Sequence, residues 1–249
     1  MVWIHGGGFT EGSIFTVLYD GQYIASLGDV VVVTVNYRLD AFGFLYGSTE
    51  DTPGNLGLYD QILALKWVKD NIEKFGGNAS DVTLFGESAG SFSVSALVLS
   101  PLSAGYYHRA IMQSGAANSY LGSQGREKSL EVTKSLIERL NCSDSRSSGL
   151  APGIACLRTK SVEEILQATS TGLLNAENFI PVYGSGVPLL PLPPVQALKT
   201  GNFNRDIDLM YGIVKNEGSM FVVKLIPIDV TGQTITLQST KLMIQFMMS

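Results

Sequence analysis

The sequence predicts an α/β fold, with a mostly parallel central sheet and helices on both faces. Three observations point there. Residues 30–35 (Val30, Val31, Val32, Val33, Thr34, Val35) form one continuous β-branched run, as expected of a strand covered on both faces. Short apolar strands alternate with helix-period segments through the first half of the chain, the pattern of parallel strands joined by helical crossovers. The 27 glycines follow no three-residue period, which indicates many tight turns and excludes a collagen-like chain.

Taken in order, Val2, Trp3 and Ile4 read as a strand running into a glycine loop, and residues 30–35 as the next strand. Residues 60–75 read as a helix, because Ile62, Leu65, Val68, Ile72 and Phe75 recur at helical spacing, with Leu63 and Trp67 broadening the same face. Gly76 and Gly77 stop it. Residues 82–85 are a short strand, 86–90 a turn, 92–99 a helix and 110–112 another strand. From about Gly122 the texture changes: an amphipathic helix over 128–140, a Ser-rich loop over 141–152, and a helix over 162–169 before a proline-rich segment. Residues 208–213 return to a strand. With neither an internal repeat nor a separating linker, the expectation is one α/β domain over 1–249 with a helical insertion around 122–200.

Composition narrows the function. At 249 residues with 45% hydrophobic and 16% charged, the chain can bury a core and is neither disordered nor fibrous. Seventeen Lys plus Arg against 22 Asp plus Glu give a net charge of −5 with no basic stretch, which argues against a nucleic-acid surface. The longest uncharged run, 178–198, holds five prolines and is too broken for a membrane span. The chain opens directly on strand residues, shows no signal peptide and closes on a Met-rich tail, so the expectation is that both ends are cut inside a larger protein.

Two elements carry chemistry. Gly86-Glu87-Ser88-Ala89-Gly90 fits G-x-S-x-G, in which a serine on a sharp strand-to-helix turn projects its hydroxyl from the sheet and small neighbours allow the bend. The strand before it and the helix after it supply the context the pentapeptide needs, and the helix N-terminus favours developing negative charge. His5-Gly6-Gly7-Gly8-Phe9 is the second element: its glycines leave backbone N–H groups unobstructed. The amides of Gly7 and Gly8, with that of Ala89, would form an oxyanion hole for an acyl-transfer intermediate. Neither a Gly-Lys-Ser/Thr nor a dinucleotide spacing follows, so phosphate binding is the weaker reading. Asn78-Ala79-Ser80 and Asn141-Cys142-Ser143 are glycosylation sequons in predicted loops.

With these elements, the chain resembles the type-B carboxylesterases, the α/β-hydrolase family that also contains the cholinesterases. The resemblance runs from Val2 to about Val222 and includes Asn36-Tyr37-Arg38, Phe42-Gly43-Phe44-Leu45, the segment from Pro53 to Gln61, Phe75-Gly76-Gly77-Asn78, the segment from His108 to Gly115, and Asn216-Glu217-Gly218. It implies an α/β-hydrolase fold truncated at both ends, and hydrolysis of small-molecule carboxylic esters through an acyl-enzyme. Ser88 matches the nucleophile, Gly7, Gly8 and Ala89 the oxyanion amides, and Glu217 the acid that orients a catalytic histidine. Glu87 is shared with many members and would tune the site electrostatically. The histidine itself is missing: none follows Glu217, His5 opens the oxyanion loop and His108 precedes a strand. The resemblance therefore implies a chain that is inactive alone, and no metal or organic cofactor.

The same resemblance pairs Cys142 with Cys156 in a disulfide that pins an insertion, and with the two sequons it implies an extracellular parent. Gly184 stands where the family often has an acid, and residues 116–122 offer Tyr120 and Leu121 rather than a tryptophan, which favours a general carboxylesterase over a dedicated acetylcholinesterase. The alternative is a non-catalytic adhesion or binding protein, since the family includes such members. Retention of Ser88, the glycine loop and Glu217 argues against it.

Overall fold

The computed structural model describes residues 1–119, 121–143, 149–170 and 178–218. Residues 1–212 form one compact unit and 213–249 a second, of which 213–218 are described. Nine strands are seen among the described residues: β1 (Val2–Ile4), β2 (Val33–Val35), β3 (Tyr46–Thr49), β4 (Thr52–Pro53), β5 (Thr83–Glu87), β6 (Arg109–Gln113), β7 (Gln124–Gly125), β8 (Val182–Tyr183) and β9 (Asp208–Gly212). The helices are α1 (Gln22–Gly28), α2 (Asp40–Phe44), α3 (Leu56–Asn71), α4 (Ala89–Leu99), α5 (Arg126–Arg139), α6 (Ala151–Leu157), α7 (Val162–Thr169) and α8 (Pro194–Thr200).

The central sheet has the order β2-β1-β5-β6-β9, and every ladder in it is parallel. Its register sets Ile4 beside Gly86 and Glu87 beside Gln113, so the chain leaves β1, β5 and β6 at the same edge. In parallel α/β sheets that carboxyl edge is where ligands bind. The Val30–Val35 run is only half strand, because pairing with the three-residue β1 extends no further than Val33, Thr34 and Val35.

Helix α4 is buried almost throughout, with Val94, Ala96 and Leu97 fully covered, and its sequence is accordingly apolar apart from Ser91, Ser93 and Ser95, whose hydroxyls are hydrogen-bonded. Helix α3 behaves differently from the predicted pattern. Leu58, Leu65 and Val68 are buried, as is Ile72 in the single 3₁₀ turn (Ile72–Phe75) that ends it. But Leu63, Trp67 and Phe75 are exposed, and Trp67 packs on Phe75 at 5.7 Å instead of on the core. The buried stripe is narrower than predicted because polar Gln61 takes a place in it, its amide donating to Ser93 at 3.0 Å. Gly76, at φ 81°, terminates the turn as expected.

Among the described residues, 122–200 contribute four helices, and one of them, α7, is bounded by a clear local signal. Ser161 caps α7 by accepting from the Glu164 N–H while its own N–H donates to Glu164, a reciprocal capping box. Helix α5 buries Val132, Leu136 and Ile137 in the same hydrophobic cluster as the sheet. Helix α6 begins inside the predicted Ser-rich loop, and residues 144–148 of that loop lie outside the described residues. Cys142 and Cys156 are joined, tying the end of α5 to α6 across 14 residues. Replacing both by serine should lower unfolding stability by about 3 kcal/mol, the loop-entropy value for that span. Equilibrium urea denaturation checks this, and an unchanged midpoint would contradict it.

Candidate active site

The turn between β5 and α4 is a single residue. Ser88 lies at φ 56°, ψ −122°, a conformation that costs a non-glycine residue about 1–3 kcal/mol and persists only where its surroundings enforce it. Its N–H donates to the Gln113 carbonyl at 2.9 Å, and its own carbonyl accepts from the Phe92 N–H at 2.9 Å. The flanking glycines let three backbones meet here. A Cβ on Gly86 would lie 2.5 Å from the Gly90 carbonyl carbon, and one on Gly90 only 2.0 Å from the Ile4 oxygen. The predicted five-residue turn is thus tighter than expected: Gly86 and Glu87 still belong to the strand, and Ala89 already opens the helix.

The glycine loop sits against this elbow. A Cβ on Gly6 would be 3.1 Å from the Cβ of Ser88 and 3.1 Å from Oε2 of Glu87. Gly7, Gly8 and Phe9 all have positive φ, at 111°, 63° and 64°. The Gly7 carbonyl accepts from the N–H groups of Thr10 and Glu11 at 3.1 and 3.0 Å. N–H and C=O oppose each other across a trans peptide, so the Gly8 N–H leaves that turn on its other side. By the same rule the Gly7 N–H points away from the His5 ring, whose Nδ1 is 2.8 Å from the Gly6 carbonyl. Ala89, the third amide, is fully buried at the start of α4.

Tyr37 and Asp40 hold the loop in roles that the sequence did not reveal. Tyr37 donates its hydroxyl to the His5 carbonyl at 2.8 Å and stacks on the His5 ring at 4.5 Å, and burial pushes its phenol well above the ordinary range. The Asp40 N–H donates to the Phe9 carbonyl at 2.7 Å. The buried Asp40 carboxylate accepts from Thr169 at the end of α7, so the insertion is tied to the glycine loop. Desolvation holds Asp40 above the usual carboxylate range, and the Thr169 hydrogen bond opposes it. Tyr19 packs at a tilt on Trp3 with ring centroids 5.3 Å apart, and its phenol is raised first by burial and then by the negative charge of Glu87. Tyr37 lies in the Asn36-Tyr37-Arg38 segment, but only the folded chain shows the link of these residues to the loop.

Neither histidine is placed as a base for Ser88. His5 is buried, stacked on Tyr37, and its pKa is lowered by desolvation, so the ring stays neutral. Its Nε2 has no hydrogen-bond partner among the described residues, and it is Gly6 that lies against Ser88. His108 accepts from the Val82 N–H at 3.2 Å, at the amino edge of the parallel sheet. Six residues of extended chain separate Val82 from Ser88, about 20 Å.

Glu217 lies in the turn that follows β9 and belongs to the second unit. Its Oε2 accepts from the Val214 N–H at 3.1 Å. Gly184 has φ 139°, and a Cβ there would be 2.9 Å from the Arg126 side chain, which accounts for glycine at that position. Tyr120 lies outside the described residues. No helix among the described residues is long and apolar enough to cross a membrane.

A parallel sheet with a serine on a strand-to-helix elbow at its carboxyl edge defines an α/β hydrolase. The carboxylesterase family model matches residues 1–248. Acetylcholinesterase-1 of Trittame loki is 42% identical over 234 residues, covering 91% of this chain and 41% of that protein. Cholinesterase 1 of Branchiostoma lanceolatum is 40% identical over 236 residues, covering 91% and 64%. The acetylcholinesterase of Electrophorus electricus is 42% identical over 229 residues, covering 90% and 35%. The chain belongs to the carboxylesterase family. It spans between 35% and 64% of the length of these relatives.

Proposed function

We propose that this chain is the nucleophile-bearing part of a serine esterase, residues 1–249 being one portion of an α/β-hydrolase domain. Ser88 Oγ attacks the carbonyl carbon of a carboxylic ester, and the amides of Gly7, Gly8 and Ala89 stabilise the oxyanion of the tetrahedral intermediate. The alcohol leaves with a proton, and water then releases the acid from the acyl-enzyme. A histidine from sequence outside this chain moves those protons, oriented by Glu217. The left-handed Ser88 beneath the glycine loop is the observation that carries the reading. The Cys142–Cys156 disulfide supports passage through an oxidising, secretory compartment. Choline esters belong beside simple acyl esters among the test substrates, since the relatives named above are cholinesterases.

In the complete enzyme, Ser88→Ala should abolish covalent labelling by a fluorophosphonate and lower ester hydrolysis by on the order of 10⁴–10⁶. The isolated 249-residue chain should show little turnover of a p-nitrophenyl ester. Undiminished hydrolysis by Ser88→Ala would overturn the assignment of the nucleophile. A folded wild-type enzyme that takes no label would place the protein among non-catalytic binding members.

A further inference from the structure

The exposed aromatic pair formed by Trp67 of α3 and Phe75 of the 3₁₀ turn that ends it lies close in the chain to the first sequon. Trp67 and Phe75 are 46% and 59% exposed, with ring centroids 5.7 Å apart, and Leu63 beside them is 65% exposed. Such an apolar patch at the surface calls for a covering group. Asn78 follows Phe75 by three residues, no more than about 10 Å along the chain. It is exposed on the loop that leads into β5. Its Oδ1 accepts from the Ser80 N–H at 2.9 Å, a hydrogen bond that does not engage Nδ2, the atom that a sugar is attached to. Gly76 between them has open space around it, with nothing within 4 Å of a Cβ built there.

We propose that Asn78 carries an N-linked glycan whose first sugars lie over the Trp67–Phe75 pair. The disulfide provides a second line of support, because an oxidising compartment is where sequons meet the glycosylating enzyme. In the transfer, Asn78 Nδ2 bonds to C1 of the first sugar of a lipid-pyrophosphate-linked oligosaccharide. The C1–O bond to pyrophosphate breaks, the lipid pyrophosphate leaves with the electron pair, and the amide proton passes to a base of the transferase. The apolar face of the sugar then covers rings that protein leaves bare. The second sequon differs in that its middle residue, Cys142, is buried and disulfide-bonded.

The test translates the full chain behind a cleavable secretory leader in the presence of microsomes, then releases glycans with an amidase that converts the modified asparagine to aspartate. Peptide mapping should find the conversion at Asn78, and both Asn78→Gln and Ser80→Ala should remove it. Because the sugar is added during translocation, occupancy is readable even if a variant does not fold. Unmodified Asn78, or modification confined to Asn141, would overturn the proposal. For the packing, Phe75→Ala with the sequon intact should speed glycan release from the native protein by roughly two- to tenfold, the scale of one lost aromatic contact. An unchanged rate would overturn the placement over the rings. None of these readouts depends on Ser88.

Discussion

Replacing Gly90 by alanine is expected to cost the chain its fold. The added Cβ would sit 2.0 Å from the Ile4 carbonyl oxygen, 2.8 Å from its carbon and 2.9 Å from the His5 oxygen. All three are backbone atoms at the end of β1, which is hydrogen-bonded on both sides, to β2 and to β5. The clash can be relieved only by moving α4 off the sheet, and α4 is the most completely buried helix. Overpacking a core ordinarily costs about 1–3 kcal/mol, and rigid backbone on the other side of the contact puts this case above that range. A loss above about 4 kcal/mol consumes much of a stability of about 5–15 kcal/mol. Gly76→Ala is the matched comparison: nothing stands within 4 Å, so only its φ of 81° opposes the side chain. That change should cost about 1 kcal/mol. Urea denaturation followed by circular dichroism separates the two, and a Gly90→Ala midpoint close to that of Gly76→Ala would show that α4 can shift.

Gly7→Ala should separate activity from stability. Here too a Cβ meets backbone, 2.0 Å from the Glu11 oxygen, and φ is 111°, where an alanine is strained. But Glu11 and Gly12 are exposed, and of the segment from Gly7 to Gly12 only Phe9 is buried, so the Gly7–Glu11 turn can rearrange without disturbing the sheet. The rearrangement moves the Gly7 and Gly8 amides, which the proposed mechanism requires to converge with Ala89 on one oxygen. In the complete esterase the expected result is a fall in kcat on the order of 10²–10³, the scale of one lost oxyanion donor. The unfolding midpoint should change far less than in Gly90→Ala. A wild-type kcat would mean that these amides do not stabilise the oxyanion.

The two predictions concern features of opposite legibility. The glycine positions could be read directly, because a strand that turns into a helix over one residue leaves no room for a Cβ two residues before or after Ser88. The bounds of α7 were equally plain, since its cap and acidic first turn lie within four residues of each other. Helix α3 was legible as a helix but not as a surface. Leu63, Trp67 and Phe75 carry the hydrophobicity of core residues, yet the sheet covers only one side of α3, and which side depends on chain far away in sequence.

The roles of Tyr37 and Asp40 were out of reach for the same reason. Each holds the glycine loop across 31 or more residues, Tyr37 through the His5 carbonyl and Asp40 through the Phe9 carbonyl and Thr169. Sequence alone determined the α/β architecture, the elbow and the glycine loop, because each follows from steric limits on a few consecutive residues. Tertiary structure alone decided which apolar residues are buried, which face His5 occupies and what braces the loop. Those depend on contacts between segments that only the assembled parallel sheet brings together.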